Sequence, residues 1–235
     1  MTSERKTSLI KGMVLALSFG IIMFVVFLPI FGNGRNALQF SDDLFNKLAK
    51  GSSYFIPGLN KASGKFLGKD FSVALKIEKD ADAAIFILNK NGVKTELTGN
   101  KLNVSGDLGA LVQAILTDAD AMFKNDGGKV SSKYGVNEKT VLKTWWIILK
   151  LMDDRLKKDG KIEESELISE TMKKAVETAY NFYGIEGQKV LDKAGIMSGL
   201  LIFYVTYTLW WGFAIYFLFE GIGLSMTKSK VKHEV

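Results

Sequence analysis

Residues Met13 to Phe31 read MVLALSFGIIMFVVFLPIF, and residues Ile196 to Leu224 read IMSGLLIFYVTYTLWWGFAIYFLFEGIGL. The first run holds about 19 residues without a charge, which at ~1.5 Å rise per residue matches a hydrocarbon core of ~30 Å. Arg5, Lys6 and Lys11 precede it and would also suit the n-region of a secretory signal. The run is longer than the ~7–15 residues of a signal h-region, however, and no small-x-small cleavage site follows, so an uncleaved signal anchor is expected over 13–31. Pro29 lies near its outer end, and Gly32-Asn33-Gly34 form a chain-breaking exit. The second run is interrupted only by Glu220 and would exceed the hydrocarbon thickness by roughly 13 Å, so it must tilt or protrude.

Two spans require both tails on one side. Residues 1–12 carry three basic residues against Glu4, and residues 225–235 carry Lys228, Lys230 and Lys232 against Glu234. The positive-inside rule therefore puts both tails in the cytoplasm and the middle of the chain outside the cell membrane, in the periplasm if the membrane is a bacterial inner membrane. The fold class expected is a membrane protein whose two transmembrane helices flank an extracytoplasmic α+β domain.

The composition narrows the chemistry. Of 235 residues 47% are hydrophobic, the formal charge is +6, there is no cysteine, and the only histidine is His233. Disulfides, thiolate or imidazole metal sites, iron–sulfur clusters and Ser-His or Cys-His nucleophiles are thereby excluded from the body of the chain. Residues 32–195 hold about 25 Lys/Arg against about 22 Asp/Glu, so the middle domain is nearly neutral and the pI near 9.2 is no argument for nucleic acid.

Within that domain, Ser41-Asp42-Asp43 reads as the cap of a short amphipathic helix through Leu44, Phe45 and Leu48, and a Gly/Ser/Pro-bearing connector runs to residue 67. Phe71, Val73, Leu75 and Ile77 alternate with smaller or polar residues, the period of a strand. Residues 81–90 suit either a helix capped by Asp80 or a buried strand, with the helix favoured. Val93 to Leu97 and Lys101 to Ser105 flank Thr98-Gly99-Asn100 as a hairpin, and Gly106-Asp107 opens a helix through Leu108, Leu111, Val112 and Ile115. This predicts a small α+β subdomain over 68–124 with an antiparallel sheet, a polar linker over 125–136, and a helical hairpin over 137–195.

The turn of that hairpin, Arg155 to Leu167, resembles the latter part of an EF-hand calcium loop, with Gly160 at the sharp turn, Ile162 at the small hydrophobic position and Glu166 at the bidentate one. Arg155 and Lys157 stand where the first ligands belong, and two cations repel Ca²⁺, so no calcium binding is expected. Asp118, Asp120 and Asp126 read as a solvated helix end, because residues two apart on a helix do not face one another. Gly127-Gly128 lacks any phosphate-binding context.

The candidate functional residues lie in the two apolar runs. Ser8, Gly12, Ala16 and Gly20 recur every four residues, a stripe of small residues that admits another helix. The second run carries Phe203, Tyr204, Tyr207, Trp210, Trp211, Phe213, Tyr216, Phe217 and Phe219. Tryptophan and tyrosine belong at membrane interfaces, yet Trp210-Trp211 fall near mid-depth, where an indole N–H finds no water. Phe203, Tyr207, Trp210, Trp211 and Phe217 are therefore expected to dock another subunit's helices, the alternative being a quinone, carotenoid or similar flat ligand, with Glu220 snorkelling to the interface or pairing with a partner's cation.

No catalytic constellation, cofactor motif or metal site is legible, and the short tails leave no cytoplasmic output module. The expected role is a non-catalytic accessory or scaffold subunit of a larger membrane complex, its helices docking other integral subunits and its outer domain a peripheral protein. Alternatives are a homo-oligomeric two-helix channel and an extracytoplasmic ligand-binding module that reports to a partner.

Overall fold

The computed structural model describes residues 2–77 and 80–224 and divides the chain into two compact units, 46–188 and the combination of 1–45 with 189–235. The tail bearing Lys228, Lys230, Lys232 and His233 lies outside the described residues.

In the unit 46–188 a three-stranded antiparallel sheet forms from β1 (Asp70–Lys76), β2 (Lys94–Thr98) and β3 (Lys101–Asp107), ordered β1-β3-β2. Val73 pairs with Val104 and Leu75 with Leu102, so the alternating apolar side chains of β1 and β3 share one buried face. Residues 81–90 are helical (α4, Ala81–Lys90), and Gly99 takes the left-handed conformation in the hairpin between β2 and β3. Asp107 ends β3 and caps α5 (Leu108–Phe123): its carboxylate accepts the N–H of Ala110 at 2.9 Å and of Gly68 at 2.7 Å. Those two bonds hold its pKa below the ordinary carboxylate value.

Two stretches expected to be irregular are helical. The connector contains α3 (Ile56–Ser63), with Pro57 in its first turn, where the missing N–H costs nothing, and Ile56 and Leu59 buried. The linker contains α6 (Gly127–Tyr134), which buries Val130 and Tyr134 one turn apart and ends at Gly135 in the left-handed region. Hence α5, α6 and the hairpin helices share a single apolar core: 68–124 and 137–188 form one unit, while residues 189–195 of the expected hairpin segment fall in the other.

The hairpin pairs α7 (Glu138–Lys158) with α8 (Ile162–Thr171), which continues through a π-helical turn at Met172–Glu177 into α9 (Thr178–Phe182). Lys161 N–H bonds to the Leu156 carbonyl and Gly160 N–H to that of Lys157, so the turn is a Schellman closure with Gly160 at φ +72°. Arg155 binds Asp159 at 2.9 Å, and the buried Asp153 accepts Ser165 and Lys157.

In the other unit, α1 spans Ser3–Val26, ten residues earlier at its start than the apolar run suggests, and residues 27–31 are not part of it. Pro29 disfavours helix at the residue before it, and the N–H of Phe27 closes the helix. α2 (Ala37–Ser52), whose residues from Asn46 onward belong to the unit 46–188, begins before Ser41: Asn36 and Gln39 exchange side-chain bonds with each other's backbone N–H, a reciprocal cap. α10 spans Ala194–Ile222 and ends at Gly223, φ +91°. α1 and the stretch Leu191–Ile222 are each long and apolar enough to cross a membrane.

Candidate functional site

Helices α1 and α10 lie side by side and antiparallel. Their backbones approach closely at two glycines. A Cβ on Gly12 would stand 2.6 Å from the Leu218 nitrogen, and one on Gly221 would stand 2.7 Å from the Leu9 Cα, both well inside van der Waals contact. The seam then runs through Ser8, Gly12, Leu15 and Phe19 on one helix and Tyr207, Trp210/Trp211, Ala214, Phe217/Leu218 and Gly221 on the other.

The spacing of this seam alternates four and three. Four residues turn a helix through ~400°, so a strict four-residue stripe drifts ~40° per step and ~120° over three steps, whereas a heptad drifts only ~20°. Ser8 and Gly12 accordingly lie on the seam and Ala16 is half-buried beside it, but Gly20 is exposed with nothing within 4 Å of its Cβ position. The small residues that receive α1, Ala214 and Gly221, went unmarked in the sequence among larger aromatics. Their seven-residue spacing, continued back to Tyr207, was the signal.

Two polar groups of the seam, the Trp210 indole and the Ser8 hydroxyl, find partners across it. The Trp210 indole donates to the Leu15 carbonyl at 3.1 Å, and the Ser8 hydroxyl donates to Glu220 at 2.9 Å. In an apolar medium both bonds answer the demand that no donor be stranded. Trp211 lies against Phe19 with ring centroids 4.7 Å apart, and the Lys11 ammonium stands 5.6 Å from the Phe217 ring. Gly12, Trp210, Phe217 and Glu220 are thus engaged within the chain.

Other aromatics of α10 face away from α1. Phe203, Tyr204, Phe213, Tyr216 and Phe219 are exposed, Tyr204 at 56%, and Trp211 remains 43% exposed beside Phe19. Tyr204 and Tyr207 sit near the middle of α10, their rings edge to face, and among the described residues neither phenol has a hydrogen-bond partner.

The unit 46–188 contains two polar nodes. Asp118 is only 3% exposed, so the expected solvated helix end is overturned for this residue. Its carboxylate accepts the Tyr134 hydroxyl, the Trp145 indole at 3.0 Å and the Lys133 ammonium at 2.9 Å, and Asn91 donates to Tyr134 in turn. Burial first, and then the bond to Asp118, push the Tyr134 hydroxyl far above the usual tyrosine pKa, so it serves as a permanent donor. Asp120 holds Tyr54 and Lys124, and Asp126 pairs with Lys129, nearer the surface.

The second node is Lys50, 4% exposed, whose ammonium donates to Asn125 and to the carbonyls of Phe182 and Ile185. Asn125, itself at φ +62°, also accepts Gly184 N–H and donates to the Ile185 carbonyl. Burial lowers the Lys50 pKa, and nearby Glu186 opposes the shift. Both nodes are fully hydrogen-bonded, which suits a framework role. Among the described residues, no three His, Cys, Asp or Glu side chains gather as a metal-binding group.

Compared with known proteins, the chain matches no protein-family model, no curated protein and no solved structure.

Proposed function

We propose that this chain is a two-span membrane protein acting as a non-catalytic accessory or scaffold subunit of a larger complex. In this reading its tails are cytoplasmic, its 46–188 unit is extracytoplasmic, and the outward face of α10 docks other integral subunits. The observation that carries the reading is the unpartnered phenol of Tyr204, 56% exposed near the middle of a helix that otherwise suits hydrocarbon. A hydroxyl left unbonded in lipid is costly, and lipid contact alone would be met as well by leucine, so acceptors from another chain are the economical explanation. A peripheral protein bound by the outer unit completes the scheme.

Recovery of copurifying integral chains in gentle detergent tests the docking. Tyr204→Leu with Phe213→Leu removes two aromatic anchors, each typically worth ~2 kcal/mol at an interface centre, so recovery should fall sharply at equal membrane insertion. Unchanged recovery refutes it. A monodisperse homo-oligomer with measurable conductance would establish the channel alternative instead. For sidedness, a phosphatase fused after residue 120 should be active and one fused after Val235 inactive.

A further inference from the structure

The unit 46–188 carries an open, mostly apolar slot of about 280 Å³ between α7 and the π turn with α9. Its floor is Leu142 and Val176, both fully buried, and its walls are Trp146 and Tyr180, the latter 40% exposed. Each wall is one turn along its helix from a floor residue, so the slot follows the groove between two antiparallel helices. The π turn sits directly behind it, and such turns recur at functional sites because they re-aim the side chains that follow.

One rim is basic. Lys139, Lys143 and Lys150 of α7 are exposed, and among the described residues none of them is in a salt bridge. Lys139 lies 5.8 Å from the Tyr180 ring and Lys150 lies 5.0 Å from that of Trp146, so both ammonium groups stand over the aromatic walls. Glu177 stands on the opposite wall. The basic row extends over roughly 16 Å at ~1.5 Å per residue, three helical turns. A single carboxylate on a small amphiphile cannot match a row of that length, whereas a helix with acidic residues along one edge can.

We propose that this slot is the docking site for an acidic amphipathic helix of a partner protein. The helix inserts apolar side chains between Trp146 and Tyr180 and aligns carboxylates with Lys139, Lys143 and Lys150. The proposal concerns the 46–188 unit alone and is independent of the docking assigned to α10.

The test uses the full chain in phosphatidylcholine nanodiscs and a labelled 18-residue peptide probe, helical, with leucines along one face and glutamates beside them. Fluorescence anisotropy should show saturable binding that weakens with salt. Lys139→Gln, Lys143→Gln and Lys150→Gln together should weaken it about tenfold, three exposed pairs of roughly twofold each. Tyr180→Glu should abolish it while the thermal unfolding of the variants stays unchanged. A scrambled peptide of the same composition should bind at least tenfold more weakly. Equal binding of the scrambled peptide, or no binding, overturns the proposal. In nanodiscs doped with phosphatidylglycerol, a photocrosslinker at residue 180 that captures that lipid in preference to the peptide overturns it too, and makes the face a lipid contact.

Discussion

Replacing Gly12 by leucine should separate α1 from α10, whereas the same change at Gly20 should leave the pair intact. At residue 12 the new Cβ alone would lie 2.6 Å from the Leu218 nitrogen and 2.8 Å from the Leu218 Cγ. Ordinary contact begins near 3.4 Å, so the helices must part by about 1 Å. The Trp210–Leu15 bond, 3.1 Å long, and the Ser8–Glu220 bond, 2.9 Å, then stretch beyond hydrogen-bond reach. Interhelical bonds in bilayers average ~0.6 kcal/mol each, and a gap of this size forfeits a quarter to a half of the local dispersion energy, for a total of about 2–3 kcal/mol. Gly20 has open space at its Cβ position, so its substitution should cost less than about 0.5 kcal/mol. Because the chain has no cysteine, spin labels can be placed uniquely at Leu17→Cys and Leu209→Cys, both exposed, and the interhelical distance followed through an SDS titration. A lower SDS midpoint for Gly12→Leu than for Gly20→Leu is expected. Equal midpoints would refute the seam.

Two further outcomes concern the 46–188 unit. Asp118→Ala should destabilise it by about 3 kcal/mol, because the Trp145 N–H and the Tyr134 hydroxyl lose their acceptor inside the core and the half-buried Lys133 loses its ion pair, and thermal or denaturant unfolding reads this directly. Asp107→Asn should flatten the acid limb of stability. The folded carboxylate has a depressed pKa, so its contribution is complete above the ordinary value of 3.8 and is lost as pH falls through the lower folded value. The difference between wild type and variant should therefore shrink below pH 3.8, and a difference that grows on acidification contradicts the cap.

The alternation at Phe71, Val73 and Leu75, the Thr98-Gly99-Asn100 turn and the long apolar runs were legible because each rests on a local period or a local conformational demand. α6 was not, because a helix of eight residues with only Val130 and Tyr134 facing the core looks polar in any window, and its stability comes from tertiary burial. α3 lies in a stretch whose Gly, Ser and Pro content reads as a connector, yet Pro57 in the first turn of a helix is tolerated. The burial of Asp118 had no sequence signature, since its partners Tyr134 and Trp145 lie 16 and 27 residues away. At the candidate site the unusual aromatics of α10 were plain, but a four-residue template placed Gly20 on the seam and passed over Ala214 and Gly221.

The docking role of α10 is tested most directly by p-benzoylphenylalanine at position 204, photolysed in native membranes before any detergent is added. The account predicts a discrete protein adduct whose added mass is not a multiple of the 26.0 kDa chain, and whose yield drops when Phe213 is changed to leucine. Lipid adducts alone, or a ladder at multiples of 26.0 kDa, would contradict it.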